Sequence, residues 1–395
     1  MYWSVSGIPP SYWLARSSPP REVDVAVVGG GFVGLSAAYW LAKLGREPVV
    51  LEAEHVANKA SGRNTGFLLT GTSQPFVRLA DRVGHDRALA FWRVSRDNRE
   101  LLRAELLDAG AVHPVDADFL AEGSWIASLK GTGGSEVLQA SAEALREEGF
   151  DVEWRDAAAV REASGSDLLE GALFQARDGG LDPVRLCRGL VRLGLFPVFG
   201  GVRIRGLEQR DDRVHLVTGA GEVLARRAIL ALNAYIPALL PKLSLDVRPV
   251  RGQALATAPG ERVLSGVWYV NDGYDYLRQL ADGTVILGGR RHVAASEEVG
   301  YLESPTGKVQ GALEELLAGT FPRLAERPVT HRWAGTMGFT DDGFPCIGAV
   351  DHAPGALYAA GFSGHGMSLG FATGKHLAER IVAEERGEDA EELFS

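Results

Sequence analysis

Gly29, Gly31 and Gly34 follow an apolar run, Val23 to Val28, at G-x-G-x-x-G spacing, and an acid, Glu52, closes the next apolar run, Pro48 to Leu51. These residue types suit a dinucleotide. Gly29 permits a tight turn, Gly31 lets a pyrophosphate approach backbone N–H groups at a helix N-terminus, and Gly34 lets helix and strand pack closely. Glu52 would accept hydrogen bonds from ribose hydroxyls. The triplet alone is a common loop pattern; strand before, helix after and acid at the right distance make it a nucleotide site.

Two further constellations accompany it. Ser61-Gly62-Arg63-Asn64 comes soon after Glu52; Ser61 and the local backbone suit pyrophosphate, while Arg63 suits a cofactor ring or a substrate, the alternative being a solvated turn. Gly364, His365, Gly366 and Met367 lie between a strand ending at Gly361 and a long helix, so backbone N–H groups are exposed at the positive end of the helix dipole. Were the ligand a flavin, donors fixed at that turn would raise its reduction potential. Arg278 shares strand parity with Tyr274 and Tyr276, and its guanidinium suits a bidentate clamp on a carboxylate; the plain alternative is a surface charge. His365 reads as a ring contact ahead of a proton-transfer group, and Arg332, beside Trp333, is a further candidate.

The elements that position these residues are of two kinds. Val23 to Glu54 is a βαβ unit whose helix carries Leu35, Ala38 and Leu41 on one face. Helical patterns follow at 78 to 107 and 136 to 149, the latter ending at a glycine, and another helix starts near Pro183 with Asp182 as its cap. A strand is expected through Val202 in GGVRIRG, and Ala228 to Leu232 reads as a central strand. Residues 248 to 290 hold several alternating runs (GQALATA, GVWYV, YDYLRQL, TVILGG) typical of an antiparallel sheet, and Ala356 to Ala360 with a helix from Ser368 to Glu385 returns to α/β character.

A chain of 395 residues exceeds what one core usually serves, so two domains are expected. A formal charge of -10 argues against nucleic acid as a partner, which needs clustered Lys and Arg. Cys187 and Cys346 form no CxxC pair and no metal-ligand cluster, so reduced thiols in a cytoplasmic protein are expected, with no metal. The leader to Pro20 lacks a signal-peptide pattern and is expected on the surface, anchored by Tyr12 and Trp13. No apolar run approaches the roughly 18 residues of an integral membrane segment. The acidic tail after Ala383 reads as a solvated or frayed end.

In order along the chain, VVGGGFVGLSAAYWLAKLG with LEAE, ASGRNTG, DGGLDP, RPVRGQ, YDYLRQLADGTVILGG, WAGTMGFTDDGFPCIG and GFSGHGM resemble the D-amino-acid oxidase-like FAD-dependent oxidoreductases. That group includes sarcosine, glycine and γ-glutamylputrescine oxidases, and SGRN with LRQLADG makes the last branch the most similar. The resemblance, from about Pro10 to about Glu385, implies an α/β fold, α+β overall. A Rossmann-like FAD domain (1–80, 150–245 and 330–395) would be joined by a substrate domain (81–149 and 246–329) with a mostly antiparallel sheet. It implies FAD held by Gly29, Gly31, Gly34 and Glu52, by Ser61, Arg63 and Asn64, by the Val202 backbone near adenine, and by Gly364, His365, Gly366 and Met367 beside the pyrimidine edge. Sarcosine oxidases attach flavin through a cysteine where this chain has Gly335, so the FAD is expected to be non-covalent. A lysine that promotes oxygen reduction in some members is replaced by Ile286, which leaves oxygen or another electron acceptor open.

The chemistry implied is oxidation of a C–N bond in a primary or secondary amine or an N-substituted amino acid, by hydride transfer to flavin N5 followed by imine hydrolysis. Arg63, Arg278 and His365 are its candidate catalytic residues. Oxidation of a hydroxy acid or glycerol phosphate on the same fold, and a non-catalytic flavin-binding subunit, are the alternatives.

Overall fold

Val25, Ala26 and Val27 are wholly buried because their strand, Glu22–Val28, has parallel neighbours on both sides, Pro48–Leu51 and Gly221–Leu230. Such a strand must be apolar on both faces, and this one is. The computed structural model describes residues 18–389 and 391–394, so the proposed anchors Tyr12 and Trp13 lie outside the described residues. The first sheet runs in the order Cys346–Val350, Ala353–Ala360, Gly221–Leu230, Glu22–Val28, Pro48–Leu51, Val198–Phe199, with the hairpin Gly206–Arg210 and Arg213–Thr218 extending from Gly221–Leu230. The helices Phe32–Lys43 and Gly366–Arg386 pack side by side against it; Phe32 stacks on Phe371 with ring centroids 6.4 Å apart.

The second sheet also has eight strands, in the order Val329–Phe339, Arg248–Thr257, Val285–Gly289, Asp275–Gln279, Val267–Val270, Ser124–Leu129, Leu169–Gln175, Glu153–Asp156. All neighbours are antiparallel except Val267–Val270 beside Ser124–Leu129. Alternation sorts its residues: Leu255, Leu277 and Leu287 pack under the helix Gly307–Thr320, while Tyr269, Tyr276, Gly252 and Gly335 face the first sheet across a cavity. A two-stranded ribbon, Phe67–Leu68 with Gly179–Gly180, lies between the sheets.

Several expectations shift. Glu153–Asp156 and Leu169–Gln175, placed in the cofactor segment 150–245, are strands of the second sheet, as is Val329–Phe339; alternation shows that a run is a strand but not which strand it joins. The helical stretch at 78 to 107 is two helices, Phe76–Val83 and His85–Leu102, followed by a π turn, Arg103–Leu107. Gly84, at φ +91°, makes the break. Val202 is not in a strand, because the sheet edge stops at Phe199. The acidic tail is not wholly loose: Phe394 packs on Phe91 and Phe344, at 6.0 and 5.4 Å between ring centroids. Among the described residues, no helix is long and apolar enough to cross a membrane.

Candidate active site

The nucleotide turn is built from backbone. A Cβ placed on Gly34 would sit 2.0 Å from the Gly29 carbonyl oxygen, so only glycine admits the close approach of helix and strand. Gly29 itself adopts φ +112°. At Gly31 an added Cβ would meet Ser61 Oγ at 2.9 Å. Ser61 Oγ accepts the Phe32 N–H at 2.8 Å, which leaves the serine's own proton free to be donated. Glu52 lies at the end of its strand, where Oε2 accepts the Gly30 N–H and Oε1 the Glu54 N–H, each at 2.7 Å. Burial raises its pKa above the ordinary carboxylate value, against those two hydrogen bonds. The Val202 N–H donates to the Glu52 carbonyl at 2.9 Å, so this segment lies against the acid although it is not a strand.

Two helices, Ala157–Ser164 and Pro183–Arg192, are capped by their own Asp156 and Asp182, whose carboxylates accept first-turn N–H groups. The helices starting after Gly31 and His365 have no such cap. Their positive ends are the places where a cofactor's anionic groups would be held.

A cavity of about 510 Å³ joins the two sheets. On its first-sheet side lie Arg63, Asn64, Gly364, His365, Met367 and Ser368; on the other lie Gly252, Tyr269, Tyr276, Arg291, Gly335 and Met337. Arg63 donates to the Ala334 carbonyl at 2.8 Å and the Asn58 carbonyl at 3.0 Å, and pairs with Glu303 at 3.1 Å. Asn64 braces its turn, donating to the Ala60 and Ser61 carbonyls and accepting the Gly66 N–H. His365 Nε2 accepts the Ser73 N–H at 3.1 Å, which puts the ring proton on Nδ1; that atom is buried beside the Ser363 backbone without a well-formed hydrogen bond. Burial lowers the His365 pKa to about 4, opposed by the Ser363 backbone and assisted by the charge of Arg291. A ring so held is neutral and braces the turn. Gly364, at φ +89°, opens onto empty space; of the amides after it, those of His365 and Ser368 donate to the Phe362 and His365 carbonyls at 2.8 and 3.0 Å, which leaves those of Gly366 and Met367 for a ligand. Gly366 begins the helix, and Met367 is buried, its carbonyl accepting from Asn98.

Arg278 requires a correction. It shares a face with Tyr276, but the ribbon carrying Gly179–Gly180 crosses over it; its Nη2 donates to the Leu181 carbonyl at 2.7 Å, and it does not line the cavity. A Cβ on Gly180 would meet Arg278 Nη1 at 2.1 Å, so the glycine makes room for this buried arginine. Arg332 also turns away, donating to Gln310 and pairing with Glu314. Arg291, unnoticed in the sequence, is the second-sheet guanidinium that does line the cavity. Its signal was present: a strand ending in Gly-Gly followed by Arg-Arg.

This geometry, a glycine turn at one helix N-terminus and a second helix N-terminus beside a cavity roofed by an antiparallel sheet, is that of a dinucleotide-binding oxidoreductase. Residues 24–380 match the family model described as FAD dependent oxidoreductase, and the chain belongs to that family. It is similar to gamma-glutamylputrescine oxidoreductase of Escherichia coli, 29% identical over 93% of this chain and 84% of that protein. Its identity to glycine oxidase of Bacillus licheniformis is also 29%, over 92% and 94%. The structure of L-proline dehydrogenase from P. horikoshii superposes with a TM-score of 0.78 over 94% of this chain and 100% of that one; at 22% identity this shows the shared fold. The cofactor is FAD, and the residues present fit it: Gly29 makes the turn at φ +112°, Gly34 lets helix and strand close up behind it, and the buried Nδ1 of His365, without a well-formed hydrogen bond, lies beside the cavity.

Proposed function

We propose that the chain oxidises a C–N single bond of a primary or secondary amine or an N-substituted amino acid to an imine, which water then hydrolyses. The observation carrying this reading is the cavity's lining. Its carboxylates among the described residues, Asp272 and Asp342, are engaged by Arg78 at 2.8 Å and Arg87 at 2.6 Å, so neither stands ready to hold an amine protonated. Phe67, Tyr269, Tyr276, Phe339 and Phe344 supply an apolar surround, which with the charge of Arg291 favours the neutral amine. FAD, when bound, supplies the two-electron acceptor. Gly29, Gly31, Gly34, Ser61 and Glu52 would hold its adenosine and pyrophosphate, and the amides after Gly364 its ring edge. Tyr269 and Tyr276 position the substrate and exclude water from above.

We read the FAD as dissociable, since Gly335 faces the Arg63 stem and neither cysteine lines the cavity. Acid precipitation should release all flavin into the supernatant. The two free thiols support a cytoplasmic location. Anaerobic addition of amines, N-methyl amino acids and D-amino acids tests the reaction. Bleaching of the flavin band by one of these classes is expected, and bleaching only by hydroxy acids would overturn the reading. The rate of recovery in air, compared with recovery on adding a quinone or dye, then decides between oxygen and another electron acceptor.

A further inference from the structure

The segment 298–306 runs from the second sheet across to residues of the first-sheet side and back to the helix Gly307–Thr320. Its two stalks are fixed by buried groups. Glu298 accepts from Arg251 Nε at 2.8 Å and Nη2 at 2.6 Å, and from the Gln253 amide at 2.9 and 3.0 Å. Gln253 Oε1 accepts the Thr306 N–H at 2.9 Å, and the Gly300 N–H donates to the Pro249 carbonyl at 2.9 Å.

The tip is held differently. Glu303 Oε2 pairs with Lys59 at 3.0 Å and Arg63 at 3.1 Å, while Oε1 accepts the Tyr235 hydroxyl at 3.1 Å. Tyr301 stacks on Tyr235, 5.2 Å between ring centroids, and its hydroxyl donates to the Ala234 carbonyl at 3.0 Å. Burial, with the Glu303 charge, pushes the Tyr235 hydroxyl up to about 12, so it stays a donor. Val299 and Leu302 are exposed, so polar bonds and one aromatic contact hold the tip down. The side chains of Glu303, Arg63 and Lys59 are 14, 17 and 37% exposed, within reach of water and salt, whereas those of Arg251 and Glu298 in the stalk are 5 and 1% exposed. Pairs of the first kind contribute modestly and weaken with salt.

The groups that the tip joins stand on opposite sides of the nucleotide turn. Lys59 and Arg63 flank Ser61, which bounds the turn at Gly31; Ala234 and Tyr235 follow Ala231 and Leu232, which bound it at Gly29. Arg63 also reaches the cavity, so the way from the turn to the cavity passes between the two segments that Glu303 and Tyr301 tie together.

We propose that residues 298–306 are a latch across this passage, that Glu303 is the positioning residue that closes it, and that release of FAD waits on the parting of Glu303 from Lys59 and Arg63. The proposal goes beyond the reaction reading and rests on the reading of the FAD as dissociable.

The test dilutes the FAD-loaded chain into buffer with a phosphodiesterase, which cleaves FAD once it is free and prevents rebinding; FMN fluorescence then counts release. Glu303→Gln should release FAD about tenfold faster than the intact chain, as expected when two partly buried ion pairs are lost. Glu303→Asp should recover part of the difference, and Glu297→Gln, whose partner is Lys308, should release at the intact rate. Raising KCl from about 0.05 to about 0.5 M should speed release from the intact chain roughly threefold and leave Glu303→Gln nearly unmoved, a signature that a merely structural residue would not carry. Equal release from Glu303→Gln and the intact chain, or a salt effect shared equally by both, overturns the proposal. If Glu303→Gln yields no loaded protein, the salt series on the intact chain decides: acceleration retains the latch and a flat rate removes it. Flavin that stays with the acid-precipitated chain removes the dissociable reading and the latch together. Flavin freed by acid, yet released from the native protein at one rate whatever the variant, removes the latch alone.

Discussion

On the parallel-sheet side of the cavity the groups offered to a ligand are mostly backbone: the turn at Gly29–Gly34 and the amides that follow Gly364. On the antiparallel-sheet side they are side chains, Tyr269, Tyr276 and Arg291, each presented by the parity of a strand or the hand of a turn. The two walls fail differently under substitution. A backbone wall tolerates no added atom where chain meets chain, whereas a side-chain wall tolerates changes of size and is sensitive to direction and charge.

The sharpest way to break this contrast is Gly34→Ala. Its Cβ would lie 2.0 Å from the Gly29 carbonyl, and the cradle must open to admit it. FAD retention should fall by at least about 100-fold, read as flavin absorbance per protein after gel filtration. Retention of full occupancy would show that the backbone wall yields.

Next in size is an effect of acid. His365 titrates near 4 in the folded chain against about 6.5 when unfolded. The unfolded state therefore binds more protons between those values, and stability falls as pH drops from 6.5 towards 4. The loss should reach about 3 kcal/mol, and His365→Gln, which can still accept the Ser73 N–H, should remove that share of the acid dependence in denaturant melts.

Arg278→Gln should cost about 2 kcal/mol in the same melts by leaving the Leu181 carbonyl without its charged donor. The kcat/KM for the best substrate should stay as it was, because this arginine lies outside the cavity. A changed value would return Arg278 to the substrate wall. Smallest is Arg78→Ala at the cavity mouth. Its partner Asp272 is 48% exposed, so the loss should stay under about 1 kcal/mol, with KM within about threefold.

What could be read from the sequence follows the same division. Glu52 and the three glycines were legible because their relations are local, fixed by one strand, one turn and one helix. Arg278 was given the right strand and the right face, yet its surroundings come from residues 179–181, a distant segment whose crossing no periodicity announces. Arg291 was passed over because it follows the strand instead of lying in it, and its direction is set by the left-handed Arg290 and the buried Asp275. The allocation of Leu169–Gln175 failed for a related reason. Alternation gives a strand its two faces, while its neighbours come from the whole chain.

The pairing of the helices Phe32–Lys43 and Gly366–Arg386 bears on the order in which this protein can be made. A Cβ on Gly374 would meet the Ala37 amide at 2.6 Å, and one on Gly370 would press on Phe32, so the helix of the nucleotide turn fits against a stretch translated more than three hundred residues later. Until that stretch leaves the ribosome, the first helix has an apolar flank without its mate. Gly221–Leu230 likewise lacks its neighbour Ala353–Ala360. A cofactor encountered by the growing chain would therefore find only half a berth, and durable loading belongs to the finished polypeptide.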